Sequence, residues 1–539
     1  MKRKIKYFKK FYLVVFGNLV GAFVAYQLSF AMLDMINIAI AQDWEQFWPT
    51  TIPMIIYVLL IFPSSMFNAY ARSYFLKDAM TSMKTDYMKL VFGKNINEFQ
   101  KENNSAYVSA LTNDFNLIET DYFQSITGLT ESAIGFATGI IIFAKISPII
   151  LFVGLGIIVI NGLLSSIVTK PIQKHNKERS VLFSGYSGFV KEVLSAFNII
   201  KNNGLEDRVR KNFYEKSEGV QQKKYVIDKI MSFIFAAQNA NFNFIFLGLM
   251  LFVSNLAIQG VITFAGIAVV ATNIDRLIWP IQVVSESIPK IVSVKAIFKR
   301  IDETMTNKET HIETVEFGEF KKNIEFKNVT FAYDDHTVLK DINLKFEKGK
   351  KYLIIGPSGG GKSTVLRLLR KYFNPNDGEI IIDGSSLKDV KKNDYYGRIA
   401  NIEQNIFLFE DTIRNNLTLY KDYSDQELEN AIDKAGLRDF IESNPEGLDY
   451  MILDNGKNIS GGEKSRIAIA RGLINNANII FLDEAFASLD RARVKEIETS
   501  LVNLKDVTII NVSHVIIEEN KHLYDSVITV RNQTVHASA

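Results

Sequence analysis

Long uninterrupted apolar runs fill the first three hundred positions, and short alternating ones fill the rest, so the chain reads as two halves built for different solvents. Residues 12–33 carry no charge. At ~1.5 Å per residue a helix over them extends ~33 Å, about the hydrocarbon thickness of a bilayer. Similar runs at 51–68, 123–144, 149–168, 233–257 and 261–284 predict six membrane-spanning helices. The first run is longer than the apolar core of a signal peptide and no small-residue cleavage site follows it, so it is expected to stay in the membrane.

Lysine and arginine positions set the orientation, because positive flanks remain on the cytoplasmic side. The opening "MKRKIKYFKK" is basic, whereas "QDWEQFWP" after the first span is acidic and aromatic. The N-terminus is therefore expected inside. The segments 72–122 and 170–229 then also fall on the cytoplasmic side; their polar, periodic character predicts spans that continue as helices beyond the bilayer. Several polar residues lie at membrane depth: Glu131, the "QNANFNF" run at 238–244, Asp275, Arg276 and Glu286. A charge at a helix centre costs roughly 2.5–3.5 kcal/mol on insertion scales. These groups either line a wet cavity or bond from helix to helix.

Period-two alternation takes over in "IEFKNVTFAY" and "INLKFEKGKKYLII", which predict strands. The second leads into "GPSGGGKST", Gly356 to Thr364, and then into the helical pattern "TVLRLLRKYF". This is G-x-x-x-x-G-K-[ST] in its required strand–loop–helix setting. Gly356, Pro357, Ser358, Gly359, Gly360 and Gly361 form a loop whose amides wrap phosphates. Lys362 reaches the terminal phosphates, the Ser363 hydroxyl ligates Mg²⁺, and Thr364 continues into the helix. ATP and Mg²⁺ are the expected cofactors.

A second carboxylate motif is needed for the metal, and "NIIFLDEAFASLD" supplies it. Residues 478–482 read as a buried parallel strand that delivers Asp483 and Glu484 at its carboxyl end, where open α/β sheets bind ligands. Asp483 belongs to the metal shell, and Glu484 is placed to orient and deprotonate an attacking water. His514 ends another strand, "VTIINVSH"; it either caps that strand or donates to a γ-phosphate. Gln404 in "NIEQNIFLF" ends a similar apolar segment, with an amide available to the metal and water network. The stretch "NISGGEKSR" at 458–466 holds Ser460, Gly461, Gly462 and Glu463. It suits a helix start, where bare amides attract phosphate and a serine hydroxyl caps.

Charge and composition narrow the picture further. Across 539 residues the formal charge is +3, from 62 basic and 59 acidic residues, too small to argue for nucleic acid. No cysteine is present, which excludes disulfides, thiolate zinc sites and cysteine catalysis.

These residues together resemble the ATP-binding cassette (ABC) transporters, specifically half-transporters of the exporter type. The resemblance covers essentially the whole chain and rests on Tyr333, "GPSGGGKST", Gln404, "ISGGE", "FLDEA", "SLD" and His514 in that order. It implies an all-α six-helix transmembrane bundle with long cytoplasmic helix extensions, followed by an α/β P-loop ATP-binding cassette domain. The expected division is a transmembrane domain at 1–305, a linker at 306–322 and the cassette at 323–539. The resemblance also implies that Tyr333 stacks on adenine and that Ser460, Gly461, Gly462 and Glu463 close over ATP held by a second chain, identical or related. Residues 488–490 would link the two sites, and short coupling helices are expected near 112–117 and 198–206.

Four departures from the family pattern stand out. Ile459 replaces a leucine, Glu463 a glutamine and Phe486 a small hydroxyl residue, and the ending after Asp525 lacks a common glycine turn and stops early. The implied function is an ATP-driven exporter, working as a dimer by alternating access in a bacterial cell membrane, that moves an amphipathic small molecule, lipid or peptide out of the cytoplasm. With no cysteine-protease domain before the spans, leader cleavage during export is not expected. The alternative is the same architecture importing metal chelates or acting as a nucleotide-gated regulator.

Overall fold

The computed structural model describes residues 6–100, 104–305, 311–333, 335–403, 406–475, 477–486, 491–513, 519–531 and 533–538. The chain divides into two compact units, Met1–Lys94 with Glu102–Thr306, and Asn95–Lys101 with Asn307–Ala539.

The first unit is helical. Its main elements are α1 (Phe11–Ala41), α2 (Trp44–Phe92), α3 (Asn104–Ile146), α4 (Pro148–Ser195), α5 (Glu206–Ile258), α6 (Phe264–Asn273) and α7 (Asp275–Met305). Among the described residues five helical stretches are long and apolar enough to cross a membrane, and α4 opens with a sixth apolar stretch, Pro148–Ile157. Tight turns join α1 to α2 and α3 to α4. Gln42 adopts φ 56° after α1, and Asp43 caps α2 by accepting from the Gln46 amide at 3.2 Å. Between α3 and α4, Ser147 is extended and Pro148 begins the next helix, a position where its missing N–H costs nothing. At 49, 48 and 53 residues, α2, α4 and α5 each run ~70–80 Å, more than twice the bilayer core.

One expected short helix falls elsewhere. Residues 112–117 lie inside α3, where Asp114 turns inward, only 5% exposed, and accepts from Arg300 Nε at 3.2 Å. Asp114 alone makes that ion pair; Thr112, Asn113 and Asn116 stay exposed. The separate short helix comes earlier, at Ile96–Gln100 after the helix-ending Gly93, and belongs to the second unit, in which Asn95 accepts from Lys392 Nζ at 2.6 Å. The other short helix, Phe197–Asn202, lies where one was expected.

The second unit is α/β. Strands β1 (Asn323–Tyr333), β2 (His336–Glu347), β4 (Asp377–Ile382) and β5 (Ser385–Ser386) form an antiparallel sheet in the order β2-β1-β4-β5. The second sheet runs β10-β9-β3-β8-β7-β6, with β3 (Lys351–Ile355), β6 (Ile399–Ile402), β7 (Ile479–Asp483), β8 (Thr508–Val512) and β9 (Ser526–Arg531) parallel and β10 (Thr534–Ser538) antiparallel at the edge. The sequence run 342–355 is thus two strands parted by a turn at Gly349, φ 78°. The hairpin between β9 and β10 closes without glycine, because Gln533 takes the left-handed conformation at φ 66°.

Strand β7 joins two cores through its two-residue period. Ile479 and Phe481 pack into the core around the nucleotide-type loop, while Ile480 and Leu482 pack into a helical core with Ile467 and Ile469. Residues 311–322 fold onto the same unit, where Phe317 and Phe320 are buried in the first core and Lys391 N–H donates to Val315 O at 2.8 Å.

Candidate nucleotide site

The parallel strands end on one edge of the sheet, and the candidate residues follow from those ends. After β3 the chain turns through Gly356 (φ 148°), Gly359 (φ 75°) and Gly361 (φ 102°) into the helix Lys362–Leu369. A Cβ on Gly356 would stand 2.1 Å from Val530 O of β9, so no side chain fits there. The loop's own carbonyls hold the Lys362 ammonium, which donates to Gly356 O at 3.0 Å and Pro357 O at 2.9 Å. Burial holds this ammonium below its ordinary pKa, against the pull of Glu484 and Asp483.

The two halves of the motif meet directly. Ser363 Oγ donates to Asp483 Oδ1 at 3.1 Å across 120 positions of sequence. Burial pushes the Asp483 carboxyl up, while Arg370 and the Ser363 hydroxyl pull it back toward the charged form. Glu484, next in sequence, is half-buried in the left-handed region at φ 51°, and its amide donates to Val512 O at 2.9 Å. This places the carboxylate at the junction of β7 and β8. Tyr333 ends β1 in an aromatic cluster, edge-on to Phe331 and Phe373, and its hydroxyl accepts from Arg367 at 3.0 Å. Gln404, His514 and residues 488–490 lie outside the described residues.

Ser460 caps the helix Gly461–Ile474, as its sequence context suggested. Its Oγ accepts from the Glu463 amide at 3.2 Å, and the Glu463 carboxylate accepts from the Ser460 amide at 2.7 Å, a closed capping box. The glutamate that departs from the family pattern thus keeps the reciprocal bond. The cap is exposed and the helix behind it is buried in the helical core. Ile459 and Phe486, two other departures, pack into that same core. Further along, the Arg471 guanidinium donates to Asn416 O at 2.8 Å and Phe407 O at 3.1 Å; burial lowers its pKa to about 10.

One cluster escaped the sequence reading. Arg370, 2% exposed, lies with Nη1 3.6 Å from Asp483 Oδ2 and 3.8 Å from Glu403 Oε1. Tyr372 donates to the same Glu403 carboxylate at 2.8 Å. A buried guanidinium therefore bridges the carboxylate beside Ser363 and the residue preceding Gln404. The only hint in the sequence is a charged residue at an apolar position of "VLRLLRKYF".

A phosphate-type loop and its paired carboxylate on a parallel sheet, in a chain that also carries a bilayer-length helical bundle, define a membrane-bound nucleotide cassette. Two family models match accordingly: "ABC transporter transmembrane region" over residues 11–281 and "ABC transporter" over residues 339–487. The chain belongs to the ABC transporter family. It is 26% identical over 471 residues to an uncharacterized ABC transporter ATP-binding protein, YfiC, of Bacillus subtilis, covering 84% of this chain and 77% of that one. It is 27% identical over 475 residues to an ATP-dependent lipid A-core flippase of Syntrophus aciditrophicus, covering 84% and 76%. Its fold matches the ATP-bound structure of a bacterial Atm1-family ABC exporter with a TM-score of 0.82, at 20% identity over 98% of this chain and 95% of the other. The protein is an integral membrane protein that binds ATP and couples its hydrolysis to transport, as an exporter-type half-transporter.

Proposed function

We propose that two such chains, identical or related, assemble with their cassettes in the cytoplasm and share two ATP sites between them, expelling an amphipathic cargo by alternating access. The domain division that goes with this is a transmembrane domain at 1–305, a linker at 306–322 and a cassette at 323–539. The observation that carries the reading is the Ser363–Asp483 hydrogen bond at 3.1 Å beneath the Gly356–Gly361 loop, with Glu484 next in line. The cargo class follows the lipid flippase relative and the polar residues of the bundle.

Lys362 moves from its loop carbonyls to the terminal phosphates, and Tyr333 offers its ring to adenine. Glu484 accepts the proton of the attacking water; His514 and Gln404 position that water. Ser460, Gly461, Gly462 and Glu463 present amides and a hydroxyl to the phosphates bound by the partner, so ATP favours the closed pair and its cleavage releases it. The donor set fits Mg²⁺: Ser363 hydroxyl and Asp483 carboxylate are hard oxygen ligands side by side, and this ion completes its shell with phosphate and water. Bound there, it would neutralise phosphate charge during transfer.

Glu484→Gln should lower steady-state ATP turnover by about 10²–10⁴-fold, the span of general-base catalysis, while ATP still binds. Turnover at the wild-type rate in this variant contradicts the assignment of the base.

A further inference from the structure

The helical unit contains a cavity of about 540 Å³ between α1, α2, α3 and α7, within the roughly 300–1,000 Å³ range of small-molecule sites. Glycines open it. A Cβ on Gly21 or Gly135, both in its wall, would meet nothing within 4 Å. Its charged lining is Glu131 from α3 and Asp275 with Arg276 from α7.

These three groups are not equally satisfied. Arg276 Nε donates to Asn273 Oδ1 at 2.9 Å, and Asn273, 4% exposed, also accepts from Ser29 Oγ at 3.2 Å, so the guanidinium is tethered to the wall. Asn18 and Asn68 bond each other at 2.8 Å. The Glu131 and Asp275 carboxylates make no hydrogen bond or ion pair among the described residues. Ser132, only 7% exposed and also in the lining, has a hydroxyl with no hydrogen-bond partner there. Two carboxylates against one guanidinium leave one uncompensated negative charge at membrane depth, where an ion is costly unless water or an opposite charge attends it.

We propose that this cavity binds amphiphilic organic cations, with Glu131 and Asp275 as their counter-charges. The inference rests on the transporter reading and names the chemistry of its cargo. A metal ion fits poorly: no three metal-ligating carboxylate or imidazole groups come together among the described residues, and hard cations need many oxygens or a rigid octahedron. An organic cation needs instead a few carboxylates, an acceptor hydroxyl and apolar cover. The Ser132 oxygen supplies the second of these. Trp279, in the same wall and 59% exposed, supplies a ring face for the charge and its substituents.

The test uses the full chain, assembled as purified, in lipid nanodiscs, with tetraphenylphosphonium and its same-shaped anion tetraphenylborate as probes and empty nanodiscs as blank. Wild type should bind the cation in preference to the anion. The double variant Glu131→Gln/Asp275→Asn should weaken cation affinity about tenfold or more, and Glu131→Asp should retain most of it. Gly135→Leu, which fills the cavity without touching a charge, should abolish binding of the cation. Equal or tighter binding of the borate, or unchanged cation affinity in either the double variant or Gly135→Leu, overturns the proposal. ATP hydrolysis is measured on the same wild-type sample. Hydrolysis without cation binding overturns this inference alone, whereas cation binding without hydrolysis overturns the transporter reading.

Discussion

The cassette and the membrane cavity treat charge in opposite ways. In the cassette the charged groups are held by neighbours: around the nucleotide loop Lys362 by loop carbonyls and Asp483 by Ser363 and Arg370, and at the exposed cap Glu463 by the Ser460 amide. In the bundle, Glu131 and Asp275 face the cavity with no such partner among the described residues. The difference reflects what each site must keep constant. Phosphate chemistry recurs unchanged at every turnover and rewards a rigid, pre-assembled shell. A cargo site in a low-dielectric medium gains more by leaving a charge for the passenger to neutralise.

The comparison can be broken first at Arg370. If its guanidinium compensates Asp483, Arg370→Met strands that largely buried carboxylate, while Glu403, 46% exposed, stays in water. Loss of one partner of a buried pair costs about 3–5 kcal/mol. Chemical denaturation of the variant should show a loss of that order, with Arg370→Lys recovering part of it; a midpoint equal to wild type would mean that the guanidinium does not compensate Asp483. A smaller effect is expected at the exposed cap. Glu463→Ala opens the capping box before a 14-residue helix, at about 0.3–1.5 kcal/mol. Hydrogen exchange at the amides of 460–464 should accelerate while amides in β7 do not change.

The smallest effect concerns Asp525, which binds Lys350 Nζ at 2.9 Å and the Lys351 amide at 2.8 Å, fastening the start of β3. Burial opposes its charge, but these two hydrogen bonds and the Lys350 and Lys351 charges together outweigh it and hold the carboxyl below its ordinary pKa. A depressed folded-state pKa adds stability above the unfolded value, about 3.9, and loses it as pH falls through the folded one. Asp525→Asn should therefore melt slightly below wild type at neutral pH, and the gap should shrink below about pH 4. A gap that widens in acid would reverse the sign assigned to this group.

What the sequence reveals divides along the same line. A phosphate loop needs consecutive amides, so Gly356 to Ser363 must be contiguous and can be read directly. Strand β7 was legible because a strand buried on both faces is apolar throughout. The bridge of Arg370, Tyr372, Glu403 and Asp483 was not, since it forms only when residues 113 positions apart converge (483 less 370). The short helix expected at 112–117 was misplaced because a carboxylate turned inward to a distant partner and an exposed one look alike in one dimension: Asp114 belongs to Arg300. In the bundle, the six apolar runs were plain, yet whether Glu131 met a neighbour or a cavity depended on helix rotation, which hydropathy does not encode.

The central claim is that the "SGGE" cap of one chain completes the phosphate loop of another. Because the natural chain has no cysteine, Ser358→Cys and Ser460→Cys introduce the only thiols. Oxidising membranes that carry the double variant should yield a cross-linked dimer when ATP and Mg²⁺ are present, and much less without nucleotide. A cross-link confined to single chains, or a dimer yield indifferent to ATP, would contradict the account.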